Sequence, residues 1–117
     1  MTTPYIQAFT SNHIPIWIGK NARSNDILTF QCAHPKDLWF HTKDVPGAHV
    51  ILHTKGLLTP ALSDIQEASD YARRHSSYAK NPSLLDIGST PVHCVEVCQL
   101  TKSKYDKPGQ VRIHPPK

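Results

Sequence analysis

The residues whose side chains could do chemistry are concentrated between Asp37 and Val50. This stretch combines two aromatic residues with two histidines, two aspartates, a lysine and a Pro-Gly pair. Carboxylates beside imidazoles are the groups that general acid-base catalysis uses. One hypothesis is therefore an RNA-modification or nucleotide-processing enzyme, whose candidate catalytic residues are Asp37, His41, Asp44 and His49. No activated nucleophile accompanies them, so we assign no catalytic residue.

The histidines also raise the question of a metal site. His41, His49 and His53 could converge from adjacent strands, as ligands do in many β-built metal sites. Their spacing is generic and no further carboxylate ligand is evident, so we expect neither a metal nor another cofactor. A structural, hydrogen-bonded role is the simpler interpretation of His49. Cys94 and Cys98 are expected to be small buried apolar residues on one strand face.

Charge favours an anionic partner. Thirteen Lys and Arg against nine Asp and Glu give a net charge of +4, and the sequence pI is about 9.1. The basic residues cluster in two places, and in the second they surround an aromatic residue that could stack on a base. The clusters are Lys20 with Arg23, and Lys102, Lys104 and Lys107 with Tyr105.

The cellular compartment can be predicted from what the sequence lacks. The three cysteines form no C-x-x-C pair, which argues against a disulfide framework and favours a reducing compartment. There is no apolar run of membrane-spanning length, and residues 1–10 do not look like a secretion signal. We expect a cytoplasmic protein without a membrane partner.

The elements that must position these residues are short. A length of 117 residues fits one domain covering 1–117, and scattered prolines between apolar runs predict an α+β fold with a mainly antiparallel sheet. Strand-like segments fall at 14–19, 26–33, 38–41, 48–53 and 92–100, and 21–26 is predicted to be a polar connection. Residues 111–113 would pair with 92–100 as a C-terminal hairpin.

One principal helix is expected over residues 61–80. Thr59 is the predicted N-cap, Pro60 would occupy the first helical position, and apolar residues then recur at helical spacing. In the strand 38–41, Trp39 and Phe40 must point to opposite faces. We expect Phe40 in the core, and Trp39 either stacking on a base or acting as a hot spot for a protein partner.

The segment 37–50 resembles the signature of the NFACT-R domain, an RNA-binding module of ribosome-associated quality-control factors once described as fibronectin-binding proteins. Residues 18–26 are similar to that family's Gly-Arg-Asn-x-x-Asn-Asp element, with Lys20 in place of arginine. The alanine-containing helix and the Lys-Pro-Gly hairpin at 102–111 also match in order. The chain departs from the family at Ala48, where serine is usual, and at Asp106, which interrupts the lysines.

The resemblance implies docking on structured RNA, such as tRNA or RNA of the large ribosomal subunit, mostly through backbone contacts. The residues expected to contact RNA are Lys20, Asn21, Arg23, Asn25, Trp39, His41, Lys43, His49, Lys102, Lys104 and Lys107. Full-length factors of the family carry further domains that do not fit in this length, so their tailing activity is not transferred to the chain. A protein-interaction adaptor stays an open alternative beside the enzyme.

Overall fold

The computed structural model describes residues 4–43, 46–76 and 91–114. Five strands form one antiparallel sheet: β1 (Tyr5–Phe9), β2 (Pro15–Gly19), β3 (Leu38–Thr42), β4 (Val50–Leu52) and β5 (Val92–Glu96). Their spatial order is β1-β2-β4-β3-β5. Strands β6 (Leu100–Thr101) and β7 (Arg112–Ile113) pair separately, and the helices are α1 (Ala22–Ile27) and α2 (Leu62–Arg74). The prediction of an α+β fold with a mainly antiparallel sheet is confirmed.

Both faces of the sheet are covered. On one face α2 packs through Ala68 and Ala72, whose small side chains let the helix approach Phe40 and the buried residues of β2 and β4. On the other face Trp39 and Ile51 pack against Leu28 and the residues that follow β5. The prediction that Trp39 and Phe40 face opposite sides is confirmed. The exposed role of Trp39 is wrong, because its side chain is only 2% accessible.

Residues 21–32 correct the predicted polar connection and the predicted strand 26–33. Asn21 caps α1, because its Oδ1 accepts from the backbone N–H of Ser24 at 2.9 Å while the Ser24 hydroxyl accepts from Asn21 N–H at 2.8 Å. A π-helical turn, Leu28–Cys32, follows directly. The short, mainly apolar run at 27–30 is compatible with a strand or a helix. The reciprocal hydrogen bonds of Asn21 and Ser24 stabilise the helix.

Helix α2 is shorter than expected at both ends. Its N-cap is Ala61 rather than Thr59, and Asp64 accepts a hydrogen bond from Ala61 N–H at 2.8 Å. The helix ends at Arg74, because Ser76 forms an isolated antiparallel bridge with Gly47. Residues 77–80 of the predicted helix lie outside the described residues. No helix in the described ranges is both long enough and apolar enough to cross a membrane.

The predicted strand 92–100 is broken into two. Strand β5 ends at Glu96, a 3-10 turn covers Val97–Gln99, and β6 then pairs with β7, which confirms the C-terminal hairpin. Strand β5 lies at the sheet edge beside β3. Cys94 and Cys98 are exposed, so their predicted burial is wrong. Because Cys94 is on β5 and Cys98 is in the turn, the two cysteines do not share a strand face.

Candidate nucleic-acid interface

An open groove of about 800 Å³ lies where five segments of the chain meet. The end of β2, the start of α1, the Pro46–Ala48 segment, the end of α2 and the tip of the β6–β7 hairpin form its walls. We call it the basic groove, because its lining includes Lys20, Arg74 and Lys107 together with His41 and His75 and, within the described residues, no Asp or Glu. An anionic ligand would therefore meet several cationic groups here.

The start of α1 shapes one wall of the groove through Asn25. This side chain is 5% exposed and lies against Gly19, where an added Cβ would be only 1.8 Å from Asn25 Oδ1. Asn25 Oδ1 accepts from His49 N–H at 3.1 Å, and its amide donates to Gly47 O at 3.4 Å. Asn25, predicted to contact RNA, therefore joins α1 to the segment 47–49.

His49 fastens the hairpin tip to the second face of the sheet. Its side chain is buried, Nδ1 lies 2.8 Å from the Thr29 hydroxyl, and Nε2 lies 3.0 Å from Gly109 O. A carbonyl can only accept, so Nε2 carries the proton and Nδ1 accepts from Thr29. Burial, and then the neighbouring His41, lowers the pKa of His49 to about 4. His49 is thus neutral at pH 7 and structural.

His41 lies half-buried between two other histidines. It is the register partner of His93 on β5, and its ring centroid is 5.6 Å from that of His49. Burial lowers the pKa of His41, and the neighbouring His93 lowers it further. The three histidines line a smaller cavity of about 250 Å³, which we call the histidine pocket. Its other lining residues are Trp39, Thr42, Gly109, Gln110, Val111 and Ile113.

The three predicted hairpin lysines differ in their surroundings. The Lys102 ammonium contacts Asp26 Oδ2 at 3.2 Å and donates to Lys107 O and Gln110 O at 2.7 and 2.9 Å. Lys102 is therefore engaged inside the protein. Lys104 lies over the exposed Tyr105 ring at 5.1 Å, and it lines a different cavity. Only Lys107 of the three lines the basic groove.

The hairpin tip is held at a second point by Gly109. This residue has a φ of +84°, a conformation that glycine adopts at low cost. Its N–H donates to Asp26 Oδ1 at 3.1 Å. Asp26 thus binds both Lys102 and Gly109, and the tip of the hairpin is fixed to the end of α1.

Asp37 lies apart from the other candidate catalytic residues. It is fully buried before β3, where its carboxylate accepts from His34 N–H and Lys55 N–H and contacts His53 Nδ1 at 2.6 Å. His53 also stacks on Trp17, with ring centroids 3.9 Å apart. The acid-base hypothesis therefore loses Asp37, and Asp44 lies outside the described residues. Within the described ranges, no group of three His, Cys, Asp or Glu residues is arranged to bind a metal.

The remaining predicted residues are surface groups. Lys20, Asn21, Arg23 and Lys43 are exposed, and of these only Lys20 and Asn21 line the basic groove. Sequence reasoning missed Arg74, which enters the groove because the end of α2 is joined to Gly47. The only signal in the sequence was the pair of arginines in the last turn of the principal helix.

Comparison with known proteins supports the resemblance inferred from the sequence. The chain is 35% identical over 109 residues to the Rqc2 homolog RqcH of Bacillus subtilis, covering 92% of this chain and 18% of that protein. It is 36% identical over 96 residues to RqcH of Streptococcus suis, covering 82% of this chain and 16% of the relative. The chain thus spans less than a fifth of these relatives. No family model matches it.

A solved structure gives the same result for the fold. The C-terminal part of the fibronectin/fibrinogen-binding protein from Streptococcus suis superposes with a TM-score of 0.82 at 31% identity, covering all of this chain and 44% of that one. The fold and site define a small α+β domain with a basic groove. The chain is homologous to one segment of the RqcH proteins, which confirms the resemblance to the NFACT-R domain.

Proposed function

We propose that this domain binds structured RNA, either tRNA or RNA of the large ribosomal subunit, through the basic groove. The observation that carries the proposal is the convergence of Lys20, Arg74 and Lys107 on one groove whose described lining has no acidic residue. Cations spaced along an open groove are suited to successive phosphates of a nucleic-acid backbone. Backbone contacts of this kind give affinity with little sequence specificity.

The distribution of ion pairs supports this proposal. Every carboxylate in the described ranges has a partner within the protein; these are Asp26, Asp37, Asp64, Glu67, Asp70, Glu96 and Asp106. Lys20 and Lys107 have no such ion pair among the same residues. Their charge is therefore free for an external anion, and the relatives' identity as Rqc2 homologues favours ribosomal RNA or tRNA and a cytoplasmic site of action.

Trp39 does not support the adaptor alternative. A binding hot spot needs an accessible anchor, and this side chain is 2% exposed. The enzyme alternative lacks Asp37 beside the histidines, since that carboxylate binds His53 and two backbone N–H groups elsewhere. RNA binding is therefore the function that the described geometry supports best.

Two matched double variants test the proposal. Lys20/Lys107→Gln removes two charges from the groove, and Lys36/Lys55→Gln removes two exposed charges from elsewhere on the surface. Each phosphate contact contributes roughly 0.7 to 0.9 to the slope of log affinity against log salt. We expect the groove variant to lose about 1.5 units of slope for a stem-loop RNA, and the control variant to lose less than about 0.5.

Both variants should remain folded, because exposed lysine side chains contribute little to stability. Chemical denaturation checks this directly. Equal losses of slope in the two variants would show that the groove is not the interface. An absence of RNA binding by the wild-type domain even at low salt would contradict the proposed function itself.

A further inference from the structure

We propose that the histidine pocket accepts one unpaired nucleobase of the RNA bound in the basic groove. This inference rests on the proposed function and adds a preference for RNA with loops or bulges. The pocket and the groove are adjacent, since they share the lining residues His41, Gly109 and Gln110. A nucleotide whose phosphate lies at Lys107 therefore has its base next to the pocket.

The walls of the pocket suit a flat aromatic ligand. The imidazole of His41 is held in a fixed plane, because it lies parallel to the Trp39 ring within 6° and perpendicular to the His49 ring. Trp39 is buried and supports His41 from behind, while His41 itself is only half-buried. Histidine rings are among the platforms on which proteins stack unpaired RNA bases. Val111 and Ile113 add apolar wall on the hairpin side.

The pocket also offers groups that could bind the polar edge of a base. His93 lines it, and neither of its ring nitrogens has a hydrogen-bond partner among the residues that the structure describes. A neutral imidazole provides one donor and one acceptor, which matches the alternating pattern on a base edge. His49, by contrast, has both nitrogens engaged, so it forms a wall rather than a contact.

The volume of the histidine pocket favours unpaired RNA over paired RNA. A cavity of about 250 Å³ enclosed on one side by the hairpin can admit one base but not an intact stack of base pairs. A base inside a duplex cannot reach a pocket without leaving its stack, and that step costs least where the base is already unpaired. Groove and pocket together would therefore favour a stem that carries a bulged or looped nucleotide.

The test compares two RNA stem-loops of equal length and charge, one fully paired in its stem and one with a single bulged nucleotide. We expect the wild-type domain to bind the bulged RNA about tenfold more tightly. A 2-aminopurine at the bulge should lose fluorescence on binding, because stacking quenches it. His93→Ala removes the contact with the edge of the base and leaves the His41 platform, so it should reduce the preference for the bulged RNA, and its salt slope should equal that of wild type.

A second variant covers the case in which His93→Ala does not fold. Ile113 lies on β7 and is 37% exposed, so Ile113→Trp should block the pocket and leave the fold intact. Loss of the preference for the bulge in this variant is the expected result. Equal binding of the two RNAs by wild type would overturn the base subsite while leaving the groove in place. Failure of wild type to bind either RNA would overturn the proposed function and the subsite with it.

Discussion

At the scale of single residues, Gly47 is needed because it packs closely against the end of α2, and not because of its backbone conformation. The Pro46-Gly47 pair predicts a turn in which Gly47 has a positive φ. That expectation is wrong, because the positive-φ glycines in the described ranges are Gly56 and Gly109. Gly47 instead lies so close to the end of α2 that an added Cβ would be 2.9 Å from Ser76 Cα and 3.1 Å from His75 O.

We therefore predict that Gly47→Val lowers the free energy of unfolding by about 1 to 3 kcal/mol, because the backbone of residues 75–76 must move away. Urea denaturation followed by tryptophan fluorescence measures the change. Gln7→Val places the same side chain on the exposed edge strand β1, and it should change stability by less than about 0.5 kcal/mol. An unchanged midpoint in Gly47→Val would show that the close approach to Ser76 carries no constraint.

His49 makes the stability of the domain depend on pH. Its pKa in the folded protein is about 4, below the ordinary value of 6.5, so the unfolded chain binds the proton more readily. Its contribution is unaffected above pH 6.5 and is lost as the pH falls from 6.5 towards 4. We expect a loss of about 2 kcal/mol between pH 7.5 and pH 5 from this residue.

The measurement is a series of denaturation curves between pH 5 and 7.5. His49→Gln should be less stable than wild type at pH 7.5, and its stability should vary less with pH because the titrating group is gone. His13→Asn removes an exposed histidine instead, and asparagine tolerates the positive φ of this position. This control should keep the wild-type dependence on pH. A His49→Gln variant that keeps it too would refute the assignment to His49.

At the scale of elements, the hairpin is fixed to the rest of the domain by Lys102. Its ammonium contacts Asp26 and two carbonyls of the hairpin, so removing it leaves the partly buried Asp26 carboxylate without its ion-pair partner. We predict that Lys102→Met lowers the free energy of unfolding by about 2 kcal/mol. The exposed Lys104 is the matched control, and Lys104→Met should be within about 0.5 kcal/mol of wild type.

The same two variants distinguish a structural role of Lys102 from direct contact with RNA. Lys102→Met should also weaken RNA binding, because the position of Lys107 depends on the hairpin, although Lys102 itself does not reach the groove. If Lys102→Met has wild-type stability and loses only salt slope, Lys102 contacts phosphate directly and the fastening role is wrong.

The sequence predicts the elements that alternate and misses those that depend on distant contacts. The alternation in residues 48–53 places Val50 and Leu52 in the core beneath α2, and the structure confirms it. The break after β5 has no local signal, because Val97 N–H is bound to Asp37 O, far away in the chain. The end of α2 is likewise fixed by the bridge from Ser76 to Gly47.

The candidate site follows the same rule. Lys20 and Lys107, which residue types and clustering single out for RNA contact, both line the basic groove. Lys102, Asn25 and His49 are polar residues of the same motifs, yet their side chains form bonds inside the protein. Whether a polar side chain faces solvent or a buried partner is decided by tertiary packing, which a single sequence does not contain.

At the scale of the whole molecule, the charges behind the net value of +4 differ in whether they are paired within the fold. Four of the described carboxylates, Asp26, Asp70, Glu96 and Asp106, pair with lysine or arginine and cancel that positive charge locally. Lys20 and Lys107, which have no ion pair among the described residues, keep their positive charge at the groove. The field of such charges speeds association with anionic partners, and the acceleration falls as ionic strength rises.

The attachment of Gly109 has a consequence for the order in which the domain folds. Its contacts with Asp26 and His49 join positions 83 and 60 residues apart in the sequence. Closing loops of that size is slow compared with pairing neighbouring strands. The pairing of β5 with β3 joins residues that are 50 to 58 apart, from Thr42 with Val92 to Leu38 with Glu96. Strands β1 to β4 should therefore assemble before β5 and the hairpin dock. Interactions made after the rate-limiting step slow unfolding and leave the folding rate unchanged, so the hairpin governs how long the native state lasts rather than how fast it is reached.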